Sequence, residues 1–257
     1  MITAIIQARM GSTRLPGKVL LPLGYTTVLG HTVWQVKKAK KIGRVIVATS
    51  TEKEDDAIEL FCKENDIKIF RGNLNDVLDR YYQCAKSVGA EDVCRITADC
   101  PLIDPAVIDQ VVSEYEQGKE KGECDYISTG RTTTTFPDGM DTEIFSFTAL
   151  EAAWRDATLH SEREHVTPFI WNHPKRFRVV EVRNDWDISA VRLTLDEQSD
   201  YQVLTNIVAH VPDLSMEAIV RYLEEHPEVA AINSPIVRDE GYQKSLHEDT
   251  VYEAKKH

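Results

Sequence analysis

Apolar positions in the first half of the chain fall into two alternating rhythms. Residues 4–6, 45–48, 67–70 and 93–98 are short, nearly continuous apolar runs, the pattern of strands buried on both faces. Between them, apolar residues recur at helical spacing: Leu29, Val33, Val36 and Ala39, then Ile58, Leu60 and Phe61, then Val77, Leu78, Tyr81, Ala85 and Val88. The boundaries carry helix signals. Thr27 begins the first helix and lysines end it, acids open the second at 55, Gly89 closes the third, and Pro105 opens a fourth. Four strands, each followed by a loop and a helix, predict an α/β fold with a mostly parallel sheet flanked by helices. Ligands of such sheets sit beyond the carboxyl ends of the strands.

The alternation changes after Gly122. Residues 132–135, followed by the turn Pro137-Asp138-Gly139, predict a hairpin-like strand. Thr167 and Pro168 predict a short capped helix, and residues 191–195 a return to the main sheet. Helices follow over 201–210 and 215–226. From 237 onward the chain is charged and aperiodic, which predicts a tail or a partner-contacting arm. No internal repeat is present.

Composition narrows the class. The 257 residues carry a formal net charge of −12, which argues against gripping nucleic acid by bulk charge. Apolar residues at 42% suit a globular protein. No apolar run approaches the roughly 18 residues of a membrane span, and no cation precedes the first apolar stretch as in a signal peptide. Five cysteines, odd in number and without a CxxC pair, fit reduced thiols. A cytoplasmic location is expected.

Against this acidic background, Arg9-Met10-Gly11-Ser12-Thr13-Arg14-Leu15-Pro16-Gly17-Lys18 places three cations directly after the first strand. Small residues let successive N–H groups converge into an anion cradle, and the cations suit a phosphate-rich ligand. The alternative is a solvated basic turn. The spacing is neither that of a P-loop nor that of a dinucleotide fingerprint. Two carboxylates end apolar stretches: Asp99 in Thr97-Ala98-Asp99-Cys100-Pro101-Leu102, and Asp196 in Thr194-Leu195-Asp196. Together they could hold Mg²⁺, which takes one or two protein acids and completes its shell with phosphate and water. Equally, each could cap the turn or helix that follows it.

The loop Ser12-Thr13-Arg14-Leu15-Pro16-Gly17-Lys18 resembles the signature of CMP-KDO synthetase and related sugar-acid cytidylyltransferases, and the chain resembles most the spore coat polysaccharide biosynthesis protein F branch. The resemblance continues through Val47-Ala48-Thr49-Ser50, Asp79-Arg80, Asp99-Cys100-Pro101-Leu102-Ile103 and Leu195-Asp196-Glu197-Gln198-Ser199-Asp200. It implies a Rossmann-like nucleotide-diphospho-sugar transferase fold that moves CMP from CTP to a sugar acid with Mg²⁺, releasing pyrophosphate. By position, Arg9, Arg14 and Lys18 would contact the triphosphate, and Gly11 and Ser12 belong to the same nucleotide-binding loop. Asp99 and Asp196 would hold the metal. Ala8, Thr49, Ser50, Arg80, Thr97 and Ala98 would line the nucleotide, with Arg9, Lys18, Asp99 and Asp196 as the catalytic set. Thr97 departs from the resembling enzymes, which carry there a glutamine associated with base recognition.

Pro137-Asp138-Gly139-Met140-Asp141-Thr142-Glu143 resembles an acceptor-side motif, which assigns Asp138, Asp141 and Glu143 to the acceptor. Glu162-Arg163-Glu164-His165-Val166-Thr167 resembles a motif of the same branch and adds Arg163 and His165. Ser161 with Glu164 also has capping-box spacing, so His165 reads either as a ligand or as a structural hydrogen-bonder. His160, His165 and His173 lack zinc-type partners. The expected organisation is a nucleotide-binding core over 1–122 and a small β-rich acceptor-binding and dimerisation unit over 123–190. The core resumes over 191–236, before a charged tail over 237–257. A homodimer without nucleic acid or membrane partners is expected. The rival readings are a metal-dependent glycosyltransferase, which would normally show Asp-x-Asp, and a non-catalytic nucleotide-sugar-binding protein.

Overall fold

Strands β1 (Ile2–Gln7), β2 (Ile42–Ser50), β3 (Ile69–Gly72) and β4 (Asp92–Thr97) pair in parallel in the order β3-β2-β1-β4. The computed structural model describes residues 1–130, 133–238 and 240–254. Beyond β4 the same sheet takes in β5 (Tyr126–Ser128), β6 (Glu143–Ser146) and β7 (Val179–Glu181). There β6 runs antiparallel between β4 and β5, and β7 pairs in parallel with β5. The seven-stranded sheet is therefore mostly parallel, and residues 123–190 extend it instead of forming a sheet of their own.

Successive side chains of β1 point to opposite faces. Ile6 joins the core under α1 (Val28–Lys38), α2 (Asp56–Glu64), α4 (Pro105–Glu120), α8 (Gln198–His210) and α9 (Met216–Glu225). Ile5 joins the core under α3 (Val77–Ser87), α5 (Phe147–Asp156) and α7 (Pro168–Asn172). Both isoleucines are fully buried, so truncating either to Ala removes about 2–5 kcal/mol. The helices start where short polar side chains take an orphan N–H: Thr27 Oγ1 accepts from Gly30 N at 3.1 Å, Asp76 from Asp79 N at 2.9 Å, and Asp104 from Ala106 N at 2.7 Å. Gly89 follows α3 at φ +61°, a conformation that glycine adopts without a Cβ clash.

Several expectations shift. The strand predicted over 67–70 begins at Ile69, because Ile67 N is bonded back to Cys62 O at 2.8 Å and closes the turn after α2. Of the strand predicted over 132–135, Thr132 lies outside the described residues, and Thr133 to Thr135 are not in a strand. Thr135 instead accepts from Asn184 N at 2.8 Å and Ile188 N at 3.0 Å. Residues 191–195 do not return to the sheet, since both neighbours of β4 are already β1 and β6. They lie across the carboxyl edge, bridging Asp138 to Arg192, with Leu193 N on Asp138 O at 2.7 Å and Leu195 N on Asp99 O at 2.8 Å.

The capping box of the short helix α6 (His160–His165) does not begin at Ser161. Glu162 takes Thr158 N at 3.0 Å and Leu159 N at 3.1 Å. The charged segment expected as a tail contains α10 (Glu240–Ala254), which lies against α6. Its docking contacts mix hydrogen bonds with ring packing: Ser245 Oγ donates to Glu164 at 2.7 Å, Asp249 accepts from Ser161 N at 3.2 Å, and Tyr242 meets His165 and Trp171 edge-on. Among the described residues, no helix is long and apolar enough to cross a membrane, and all five cysteines are buried and free.

Candidate active site

The loop after β1 folds back on itself at the carboxyl edge of the sheet. Met10 O accepts from both Ser12 N and Gly17 N at 2.9 Å, and Gly17 turns the chain at φ +70°. Ser12 Oγ accepts from Leu15 N at 3.3 Å. Asp55, fully buried at the start of α2, anchors the loop from outside by accepting from Met10 N at 2.7 Å. The same carboxylate takes Ser50 N at 3.1 Å and Ser50 Oγ at 2.5 Å, so Ser50 is committed to holding the loop. Reading the residues missed Asp55. Its only signal, an acid at a helix start, has an ordinary explanation in the helix dipole.

Folding the loop delivers Lys18 between the two carboxylates. Its Nζ donates to Asp99 Oδ2 at 2.7 Å, Asp196 Oδ1 at 2.9 Å and Leu195 O at 2.7 Å. Burial opposes the ammonium charge, yet Asp99 and Asp196 outweigh it and hold the Lys18 pKa above its ordinary value. Burial would likewise raise the Asp99 carboxyl, but Lys18 wins and holds it below the usual range. Asp196 also takes Arg14 at 3.1 Å and Arg192 at 3.1 Å. It does not cap α8. Asp200 does, accepting from Asp196 N at 2.9 Å and Glu197 N at 3.0 Å. The two acids therefore converge on one cation, and their hard oxygen donors fit a divalent metal in the place the ammonium now fills. Among the described residues there is no group of three or more His, Cys, Asp or Glu that could hold a metal ion, so such a metal would complete its shell with phosphate and water.

Other nucleotide-side residues cluster at the same edge. Ala8 N and Ala98 N continue the ladders onto Ala48 O at 3.1 Å and Gln7 O at 3.0 Å. Arg9 is exposed and makes no ion pair among the described residues. Gly11 lies beside Glu54, whose Oε1 would be 3.0 Å from a Cβ there. Thr49 is fully buried with an unpartnered hydroxyl. Arg80 is buried, bonded to Asn73 O at 2.7 Å, and its Nε has no partner. Thr97 Oγ1 lies 3.2 Å from the Cys100 thiol, which burial pushes well up and keeps protonated.

The acceptor-side residues divide. Asp138 joins the edge cluster, taking Arg192 at 2.6 Å, and Arg192 links it to Asp196 and Asp200. Asp141 follows through Arg238, at 2.6 Å. One chain of alternating charges thus runs from Asp99 through Lys18, Asp196 and Arg192 to Asp138. Glu143 does not join it. It lies within the sheet, paired with Arg95 and accepting from Tyr126 OH at 2.5 Å and Thr167 Oγ1 at 2.7 Å. Arg163 clasps Asp76 and donates to Trp154 O at 2.6 Å. His165 meets Ser245 Oγ at 3.0 Å, and burial pushes its imidazole down to about 4 against the opposing pull of Glu164, so the ring is neutral at pH 7. Val166 follows at φ +72° in a γ-turn that closes Thr167 N onto His165 O at 2.8 Å, a strained conformation for a β-branched residue.

Over residues 3–249 the chain matches the family model described as Cytidylyltransferase. It is 33% identical over 240 residues to the spore coat polysaccharide biosynthesis protein SpsF of Bacillus subtilis, covering 89% of this chain and 96% of that one. It is 32% identical over 112 residues to the 3-deoxy-manno-octulosonate cytidylyltransferase of Geobacter sulfurreducens, covering 44% of each chain. A solved cytidylyltransferase structure from Leptospira borgpetersenii aligns with a TM-score of 0.84 at 35% identity, covering 89% of this chain and 96% of that one.

Proposed function

The chain belongs to the cytidylyltransferase family, and we propose that it transfers CMP from CTP to a sugar acid for surface-polysaccharide or glycan assembly, releasing pyrophosphate. One observation carries this reading: Lys18 sits 2.7 Å from Asp99 and 2.9 Å from Asp196, at the end of a basic loop on the sheet's carboxyl edge. The charge chain leading on to Asp138 links the residues proposed for the triphosphate to those proposed for the acceptor. The acceptor hydroxyl attacks the α-phosphorus in line and pyrophosphate leaves, so positioning and charge neutralisation carry the rate. Arg9, Arg14 and Lys18 offset charge gathering on the leaving pyrophosphate. Asp99 and Asp196 would hold Mg²⁺, which neutralises phosphate charge when bound. Lys18 then exchanges its carboxylate partners for phosphate oxygens. Asp138, Asp141, Glu143, Arg163 and His165 are the proposed acceptor side. His165 is a neutral hydrogen-bonding group there, and Glu143 acts through the packing of β6. Residues 123–190 are also the proposed dimer contact, and a cytoplasmic setting suits the thiols.

A metal-dependent glycosyltransferase is disfavoured at Asp99, because the positions two residues away are Thr97 and Pro101 and the acid forms no Asp-x-Asp there. Pyrophosphate release from each of the four NTPs with a panel of sugar acids tests the proposal. Release with CTP that depends on a sugar acid supports it. Release only with another NTP, or only with neutral sugars, overturns it.

A further inference from the structure

Gln7, the last residue of β1, was not singled out by its sequence context. It stands in register with Ala48 on one side and Thr97 on the other. Strand alternation sends its side chain to the face of Ile5 and Thr97, beneath α3. There its Oε1 is buried without a hydrogen-bond partner. A side-chain amide offers an acceptor at one end and donors at the other, so either orientation buries a polar atom unpaired. Such an atom costs stability and is uncommon in a native interior unless a ligand satisfies it.

Two neighbours point to what that ligand offers. Tyr81 OH donates to Ile5 O at 3.0 Å, which seats α3 directly over β1. Arg80, one residue earlier, is bonded to Asn73 O at 2.7 Å in the loop at the carboxyl edge, and its buried Nε is a second unpartnered group. An unused acceptor and an unused donor thus lie on one face of the sheet, beside the loop that would hold the phosphates. Thr97 cannot supply the amide, since its short side chain ends in a hydroxyl 3.2 Å from the Cys100 thiol.

We infer that Gln7 is the base-reading residue, its carboxamide accepting from the exocyclic amino group of cytosine while Arg80 Nε donates to a carbonyl oxygen of the nucleotide. Uracil carries a carbonyl where cytosine carries that amino group, so it would set acceptor against acceptor unless the Gln7 amide turned over. This assignment rests on the cytidylyltransferase reading above.

Calorimetric titration of CTP and UTP, with Mg²⁺, into wild type, Gln7→Ala and Gln7→Met tests it, alongside apo melting temperatures. Wild type is expected to favour CTP. Both variants should lose that preference by on the order of tenfold or more, through weaker CTP binding, with UTP affinity nearly unchanged. Gln7→Met, which fills the site without an unpaired polar atom, should melt at or above wild type. A folded variant that keeps the wild-type CTP-to-UTP ratio overturns the role of Gln7 alone. A wild type with no preference for CTP overturns the cytidylyltransferase reading and this assignment with it.

Discussion

Asp196 and Glu143 are both carboxylates held by cations, yet their surroundings differ in kind. Asp196 is a quarter exposed and shared among Lys18, Arg14 and Arg192, each of which has another acid to turn to. Glu143 is about half as exposed, at 13%, with Arg95, Tyr126 and Thr167 committed to its two oxygens. Burial would raise the Glu143 carboxyl, but Arg95 and the two hydroxyls hold it below its ordinary value. A closed pair of this kind is architecture, joining β4 to β6 and both to the turn at Thr167. An open set, in which several cations share two acids, can exchange partners at low cost and therefore suits an incoming triphosphate and metal.

Breaking the closed pair should have the largest effect. Glu143→Gln leaves the Arg95 guanidinium buried without its counter-charge and should cost about 3–5 kcal/mol in urea unfolding. A loss below about 1 kcal/mol would erase the contrast with the edge cluster. Asp99→Asn and Asp196→Asn should behave oppositely. Lys18 keeps the other acid in either variant and Asp200 caps α8, so apo melting should move less than in Glu143→Gln, while Mg²⁺-dependent pyrophosphate release should fall at least about 100-fold, since a neutral amide is a poor ligand for a hard dication. Near-normal turnover in either variant would remove that residue from the metal site.

A third test uses pH. The His165 pKa is lowered from 6.5 to about 4 in the fold, so below 6.5 the unfolded chain binds the proton more readily. Stability should therefore fall as pH drops from 6.5 towards 4, and His165→Asn should flatten that part of the melting curve by several degrees. An unchanged slope would mean that the ring is protonated in the native state. The smallest effect is expected at the rim. Glu240 holds Arg14 at 2.5 Å, an exposed pair worth about 1 kcal/mol or less. Glu240→Gln should release Arg14 from one of its acids and lower the KM for the nucleotide by a few-fold, without changing kcat. A raised KM would make Glu240 part of the nucleotide site instead of a competitor for it.

The succession of strands and helices in the parallel core was legible along the chain, because burial on both faces writes a nearly continuous apolar run at most of its strands. Crossover helices write the 3.6-residue period between them. The basic loop was legible too, as three cations in an acidic protein. Residues 191–195 misled because Val191, Leu193 and Leu195 alternate with polar residues as in a strand, and an extended segment packed on the core at the edge of the sheet leaves the same mark.

Only the tertiary structure decided which charges meet. Lys18 lies 81 residues from Asp99 and 178 from Asp196, and Asp55 reaches across 45 residues to Met10. Local periodicity records how each segment meets the core, whereas an ion pair depends on where two distant segments end in space. The five acids of the Asp138, Asp141, Glu143, Asp99 and Asp196 set look alike as letters. Strand register placed Glu143 beside Arg95 inside the sheet and left the other four at its open edge, because a carboxylate takes its role from the solvent and the cations around it.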